Sequence, residues 1–301
     1  MNTAVMYRMG DLKIGDIVAR KSYGCDVFFK VVDIKKNEIG NVLTLKGISY
    51  RIEADAPEGD LELQPEHKVR EYRDKCCRAA ETHNRDVYAS RYRGYSKKAY
   101  YRDTPKENSG KFQRPGKILH LDGDSEYLET CIIEYGKLGL MVNGQFISEK
   151  DQPGRVFKLL KENRPDILVL TGHDGYIKGS DSYTNLKNYR NSQYFIDAVK
   201  EARKYEPDLD SLVIFAGACQ SSYYEIIKAG ANFASSPFRD LIHALDPVRV
   251  CQKIAYTSID KVLTAEEVIE NTITGKTGIG GVQTRGKFRE GFPIEPYQQY
   301  I

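Results

Sequence analysis

The sequence predicts an α/β protein in three parts: a small β-barrel of the SH3-like kind over residues 1–63, a basic linker over 64–116, and a parallel-sheet α/β domain over 117–301. Three observations point there. Residues 11–63 hold about five short runs rich in Val, Ile and Phe, separated by Gly, Asn and Asp turn signals. From Lys117 onward, continuous apolar runs alternate with amphipathic stretches, as strands buried on both faces alternate with covering helices. Between them, from Glu66 to Lys117, stand 15 Lys or Arg against 7 Asp or Glu, with no apolar periodicity.

In the first part the runs IGDIVAR, DVFFKVVDIK, VLTLKGISYRIEA and DLELQ read as strands of a docking module whose face is not strongly basic, which argues against nucleic acid as its partner. In the linker, EYRDKCCRAAETHNRD is compatible with a polar helix, and the Arg- and Tyr-rich stretch after it with a solvated segment. The third part opens with the strand KILHLDGD and the helix SEYLETCIIEYGKLG, closed by Gly139. Asp124 stands where a helix N-cap belongs, and capping explains it and Asp122 better than cation binding. LMVNGQFIS, DILVLTGHDG, SLVIFAGACQSS and ANFASSP are the further strands. QPGRVFKLLKENRP, SQYFIDAVKEARKYEP, SYYEIIKAG, DPVRVCQKIAYTS and TAEEVIENTITG are the helices, and the glycine-rich run GIGGVQTRGKFREGF follows.

The chain's net charge of +3 conceals the linker's surplus of eight, so the remainder is acidic. No run approaches the roughly 20 apolar residues of a membrane span, and the N-terminus lacks a signal-peptide core, so the expectation is a cytoplasmic protein without membrane contact. The six cysteines are scattered, with no C-x-x-C and no ligand spacing to the five histidines, which excludes a disulfide framework and a zinc site from the expectation. GKTGIGG lacks the order of a phosphate loop, and no cofactor motif stands out.

Two strand ends carry chemistry. One apolar run ends in His173 between glycines and another in Cys219 behind Gly217 and Ala218. In open α/β sheets, functional groups gather at the carboxyl ends of strands. A thiol becomes a nucleophile when a base removes its proton, and imidazole titrates near neutral pH. Free backbone N–H groups beside the thiol, that of Cys219 among them, are the expected oxyanion donors. A helix following Cys219 is expected to favour the thiolate. His120 and His243 sit near other strand ends, His120 inside an apolar run as a structural residue would. Cys251 belongs to a core helix face, and Cys76 and Cys77 to the linker.

A hydrophobic block ending in His-Gly, followed by one ending in Ala-Cys, resembles the caspase-like cysteine peptidases; here Asp174 separates His173 from Gly175. IGDIVARKSY, LKGISYRIEADAP, LVLTGHDGY, NLKNYRNSQYF, VIFAGACQS, AGANFASSP and NTITGKTGIGG extend a closer resemblance over nearly the whole chain, to the YabG family of sporulation-specific proteases. That resemblance implies a cysteine endopeptidase of the mother cell and forming spore coat, whose partners are spore coat and cortex-associated proteins. It implies His173 and Cys219 as the catalytic pair, and the caspase-like pattern implies the Gly175 N–H as an oxyanion donor. Related peptidases that cut after basic residues keep a carboxylate in the specificity pocket. Asp246, Asp174 and Glu225 are candidates for it, Asp246 first, because LIHALDP is expected to loop onto the active rim. The linker between Arg70 and Arg114 would then be open to self-cleavage. A thiol amidohydrolase on the same sheet, or a coat scaffold or RNA-binding protein acting through the barrel and linker, are the rival readings.

Overall fold

The structure is a computed structural model that describes residues 12–38, 40–75, 112–177, 182–183 and 185–292. These fall into two compact units: one runs up to Ser49 and again over Glu53–Lys75, the other comprises Tyr50–Ile52 and everything described after Lys75.

The smaller unit is an antiparallel sheet of β1 (Ile17–Arg20), β2 (Phe28–Asn37), β3 (Gly40–Gly47), β4 (Glu53–Pro57) and β5 (Leu61–Leu63), ordered β4-β3-β2-β1-β5. Val18, Val31, Leu43 and Leu45 are fully buried, as apolar residues on one face of a two-residue period should be. Helix α1, which begins at residue 66 and is described through 75, adds a small second cluster in which Tyr72 stacks on Phe28 with ring centroids 4.4 Å apart. Residues 66–75 of the expected linker are thus a helix of this unit. Near the linker's end, Phe112–Arg114 form strand β6 of the larger unit. Residues 76–111, with Cys76, Cys77 and most of the expected self-cleavage window, lie outside the described residues.

The larger unit is built on a six-stranded sheet: β7 (Ile118–Asp122), β8 (Val142–Phe146), β9 (Ile167–Thr171), β10 (Val213–Ala216), β11 (Phe233–Ser235) and, after the short β12 (Val262–Leu263), β13 (Ile279–Gly281). The order is β8-β7-β9-β10-β11-β13, parallel except for β13. Helices α3 (Gln152–Asn163), α4 (Ser192–Tyr205) and α5 (Tyr223–Lys228) contribute Val156, Leu160, Phe195, Val199 and Ile226 to a core shared with Leu119, Leu168, Leu170 and Ile214 of the sheet. Helices α2 (Ser125–Lys137) and α6 (Asp246–Ala255) bury Cys131, Tyr135 and Cys251, and are joined by a buried ion pair, Arg249 Nη2 to Glu134 Oε1 at 2.8 Å. Helix α7 (Ala265–Ile269) starts in a capping box between Thr264 and Glu267.

The glycine-rich end carries structure that the sequence left unassigned. It supplies β13 and two further short strands, β14 (Thr284–Arg285) and β15 (Arg289–Gly291), the last paired with β6. A Cβ at Gly281 would lie 2.3 Å from the Phe233 ring and 2.5 Å from the Asn232 carbonyl, so only glycine lets this strand pair with β11. The run that looks like a breaker is a strand stripped of side chains for close approach.

Candidate active site

Strands β9 and β10 are neighbours, with Ile167 to Leu170 facing Val213 to Ala216 in register. The last paired residues are Leu170 and Ala216, and His173 and Cys219 each follow three residues later in the chain. Both therefore leave the same edge of the sheet, from adjacent strands, and both are fully buried.

His173 is held from several sides. Its N–H donates to Glu149 Oε1 at 2.7 Å, and its carbonyl accepts from Asn191 Nδ2 at 2.8 Å. A Cβ at Gly172 would fall 2.2 Å from that same Glu149 oxygen, which explains the glycine before the histidine. The imidazole packs against Tyr127, ring centroids 5.3 Å apart, and its Nδ1 lies 3.8 Å from Asp124 Oδ2. Asp124 caps α2 as expected, its Oδ1 accepting from the N–H groups of Glu126 and Tyr127. Its other oxygen faces His173.

Cys219 lies in a loop fastened at nearly every residue. Gly217 has φ +109°, and a Cβ there would sit 2.5 Å from Ser235 Oγ. The Ala218 N–H donates to Ser221 Oγ and the Gln220 N–H to Ser236 Oγ, each at 2.9 Å. The Cys219 sulfur accepts from the Ile242 N–H at 3.2 Å, and its own N–H donates to the Arg51 carbonyl at 3.1 Å. Burial pushes the thiol up to about 12, against the smaller opposing pull of the Ile242 backbone. The expected thiolate-favouring helix does not reach it, because α5 begins only at Tyr223 and spans six residues.

Each remaining candidate has a definite place. Asp174 is fully buried, and its four acceptor positions are all taken. Oδ1 accepts from the N–H groups of Gly175 and Asn191, both at 2.8 Å. Oδ2 accepts from the hydroxyls of Ser192 at 2.5 Å and Ser221 at 2.8 Å. Burial raises this carboxylate against those hydrogen bonds. Asp174 thus ties the loop after His173 to the loop after Cys219 and to the start of α4, and has no acceptor left for a substrate. The Gly175 N–H, expected to serve an oxyanion, is turned back onto Asp174 instead.

Asp246 is equally enclosed: Oδ1 accepts from the N–H groups of Ile273 (2.7 Å) and Thr274 (3.1 Å). Oδ2 accepts from the His243 N–H at 2.9 Å and from the Thr274 hydroxyl. It organises the turn into α6 rather than a pocket. Glu225 stands half-exposed on α5, 3.6 Å from Lys228. Among the described residues, no three His, Cys, Asp or Glu side chains gather as a metal site requires.

His120 is buried beside its neighbours as a structural residue, its Nε2 2.8 Å from Thr171 Oγ1 and its Nδ1 3.3 Å from Tyr135 OH. Burial lowers its proton affinity. Residues that the sequence did not single out complete the rim. Tyr50 bridges His243, and Ile52 bridges Asp174. Between them the fully buried Arg51 sends Nη1 to Asp122 Oδ2 at 2.7 Å and Nη2 to the Ala244 carbonyl at 3.3 Å, its guanidinium carbon 5.0 Å from the Tyr127 ring centroid. Burial would raise the Asp122 carboxyl, but the Arg51 charge beside it holds it well below the usual carboxylate range. Nothing local marks Arg51 in SYRIE; only the fold brings it to the two strand ends.

The family model described as YabG peptidase U57 matches residues 13–293. The sporulation-specific protease YabG of Bacillus subtilis (strain 168) is 42% identical over 286 residues, covering 94% of this chain and 98% of that protein.

Proposed function

The chain belongs to the YabG peptidase U57 family, and on that premise we propose that it is a cysteine endopeptidase of the forming spore, with Cys219 as nucleophile and His173 as general base and then acid. One observation carries the reading: among the described residues, a cysteine and a histidine follow the carboxyl ends of two adjacent, in-register parallel strands, on loops pinned by Asp174, Glu149 and the serines. His173 takes the thiol proton as the sulfur attacks a peptide carbonyl, then returns it to the leaving amine. Asp124, beside His173 Nδ1, is suited to steady the imidazolium in between. The high proton affinity of the buried thiol means that the base must act when substrate arrives, since no standing thiolate is available at neutral pH.

In this reading the larger unit is a caspase-like peptidase domain and the smaller an SH3-like docking module. The substrates are coat and cortex-associated proteins in the mother cell, cut after basic residues, and the chain processes itself. The test is co-expression with a spore coat protein. Cys219→Ala and His173→Ala are each expected to abolish cleavage without unfolding, and the double variant to be no worse than either, because the pair acts as a unit. Cleavage that persists in Cys219→Ala refutes the assignment. A thiol amidohydrolase would instead hydrolyse small amides and leave the coat protein whole.

A further inference from the structure

Residues 50–52 cross the rim as a bound peptide would. The Tyr50 carbonyl accepts from the Tyr127 hydroxyl at 3.0 Å, and Tyr50 and Ile52 form backbone bridges on either side, to His243 and Asp174. The chain bends between them, with the Ile52 N–H on the Tyr50 carbonyl at 2.8 Å, and the bend presents the Arg51 carbonyl to the Cys219 N–H at 3.1 Å. That is the bond an oxyanion donor makes to the carbonyl under attack. The Arg51 side chain meanwhile fills a closed pocket whose walls are Asp122, Tyr127, Cys131 and the Ala244 carbonyl.

We propose that Tyr50–Ile52 is the chain's own cleavage segment lying in its substrate cleft, and that Asp122 is the carboxylate by which this pocket selects arginine, in this segment and in protein substrates. The inference rests on the assignment of Cys219 and His173 and names the specificity residue of that same site. An ion pair serving stability alone requires none of the backbone alignment. Here side-chain pocket, carbonyl donor and flanking bridges converge on one residue next to the thiol. Asp122 also accepts from Thr171 Oγ1 at 2.9 Å and from the Asp124 N–H at 2.9 Å, so its carboxylate stays oriented when the arginine leaves. The guanidinium uses two nitrogens on two acceptors and its plane against Tyr127, which a lysine ammonium cannot do at once.

The step balances. Cys219 Sγ bonds to the Arg51 carbonyl carbon, the thiol proton passes through His173 to the Ile52 nitrogen, and the Arg51–Ile52 bond breaks. Water then splits the thioester, its hydroxyl completing the Arg51 carboxyl group and its proton restoring the thiol. The cut falls between β3 and β4, whose ladder, with that of β1 and β5, holds the pieces together. Products must therefore be read under denaturing conditions.

The experiment is denaturing mass spectrometry of purified wild type, Cys219→Ala and Arg51→Gln, combined with mapping of the cut sites in an unfolded protein substrate. A fragment beginning at Ile52 is expected in wild type alone, with substrate cuts after Arg in preference to Lys. Asp122→Asn is expected to lower kcat/KM on an arginyl peptide about 10²-fold, the loss typical of a buried charge pair left without one partner. Should Asp122→Asn fail to fold, the wild-type cut map and Arg51→Gln decide. An intact Arg51–Ile52 bond together with Cys219-dependent cuts after residues other than Arg overturns the inference and leaves the catalytic pair standing. Absence of any Cys219-dependent cleavage removes both, and an Ile52 fragment in Cys219→Ala assigns the cut to another protease.

Discussion

Replacing Asp174 tests how the two strand-end loops are held. Its carboxylate receives two backbone N–H groups and two serine hydroxyls. In Asp174→Ala the hydroxyls can turn to other acceptors, but the buried N–H groups of Gly175 and Asn191 cannot. Each stranded N–H costs about 1–3 kcal/mol, so the loss is about 4 kcal/mol. For a unit of this size that corresponds to roughly 10 °C in melting temperature. Asp174→Asn keeps one oxygen for the two N–H groups, and its amide can donate to the serine oxygens, so it should cost about 1 kcal/mol. Calorimetric or circular-dichroism melts of the three proteins measure this, and proteolysis assays on the folded Asn variant follow the loops' effect on rate. If the Ala and Asn variants melt together within about 0.5 kcal/mol, the carboxylate is not the tie between these loops and the reasoning fails.

Two further outcomes follow from the same burial and bonding. Cys131, Cys219 and Cys251 are each pushed from 9.0 up to about 12 by burial. The fold keeps these protons where the unfolded chain releases them, so their stabilisation is intact below pH 9 and is lost as pH rises toward 12. At pH 10 the loss is on the order of 1 kcal/mol for each thiol, and a melting temperature that is flat from pH 8 to pH 10 contradicts it. Asp246→Ala strands the backbone N–H groups of Ile273 and Thr274, while the His243 N–H keeps the Thr274 hydroxyl, and is expected to lower the melting temperature while leaving the proposed preference for basic residues in place. Wild-type stability with lost cleavage after arginine would restore Asp246 to the pocket.

The legible part of the site was the part written in local pattern. ILVLTGHDG and LVIFAGAC mark His173 and Cys219 because a buried strand is a continuous apolar run and a residue just past it emerges at the sheet edge. Asp124 as a helix cap is likewise a local signal. The acidic residues behaved otherwise. Asp174 and Asp246 occupy loops near the rim, yet donors from far along the chain, Asn191, Ser192 and Ser221 for one and Ile273 and Thr274 for the other, join the local Gly175 and His243 N–H groups to fill every acceptor. Asp122 looked like the tail of a strand, and Arg51 like one more residue of the small β module.

The sequence alone therefore determined the alternation of strand and helix, the parallel sheet, and the pair of strand ends, since each depends on neighbours a few residues away. The tertiary structure decided which carboxylates are already satisfied, that the glycine-rich end closes the sheet as an antiparallel strand, and that Arg51 lies between Asp122 and the Cys219 N–H. Those outcomes depend on groups some 70 to 170 residues apart in the chain, and a buried charge reveals its role only through the partner that the fold brings to it.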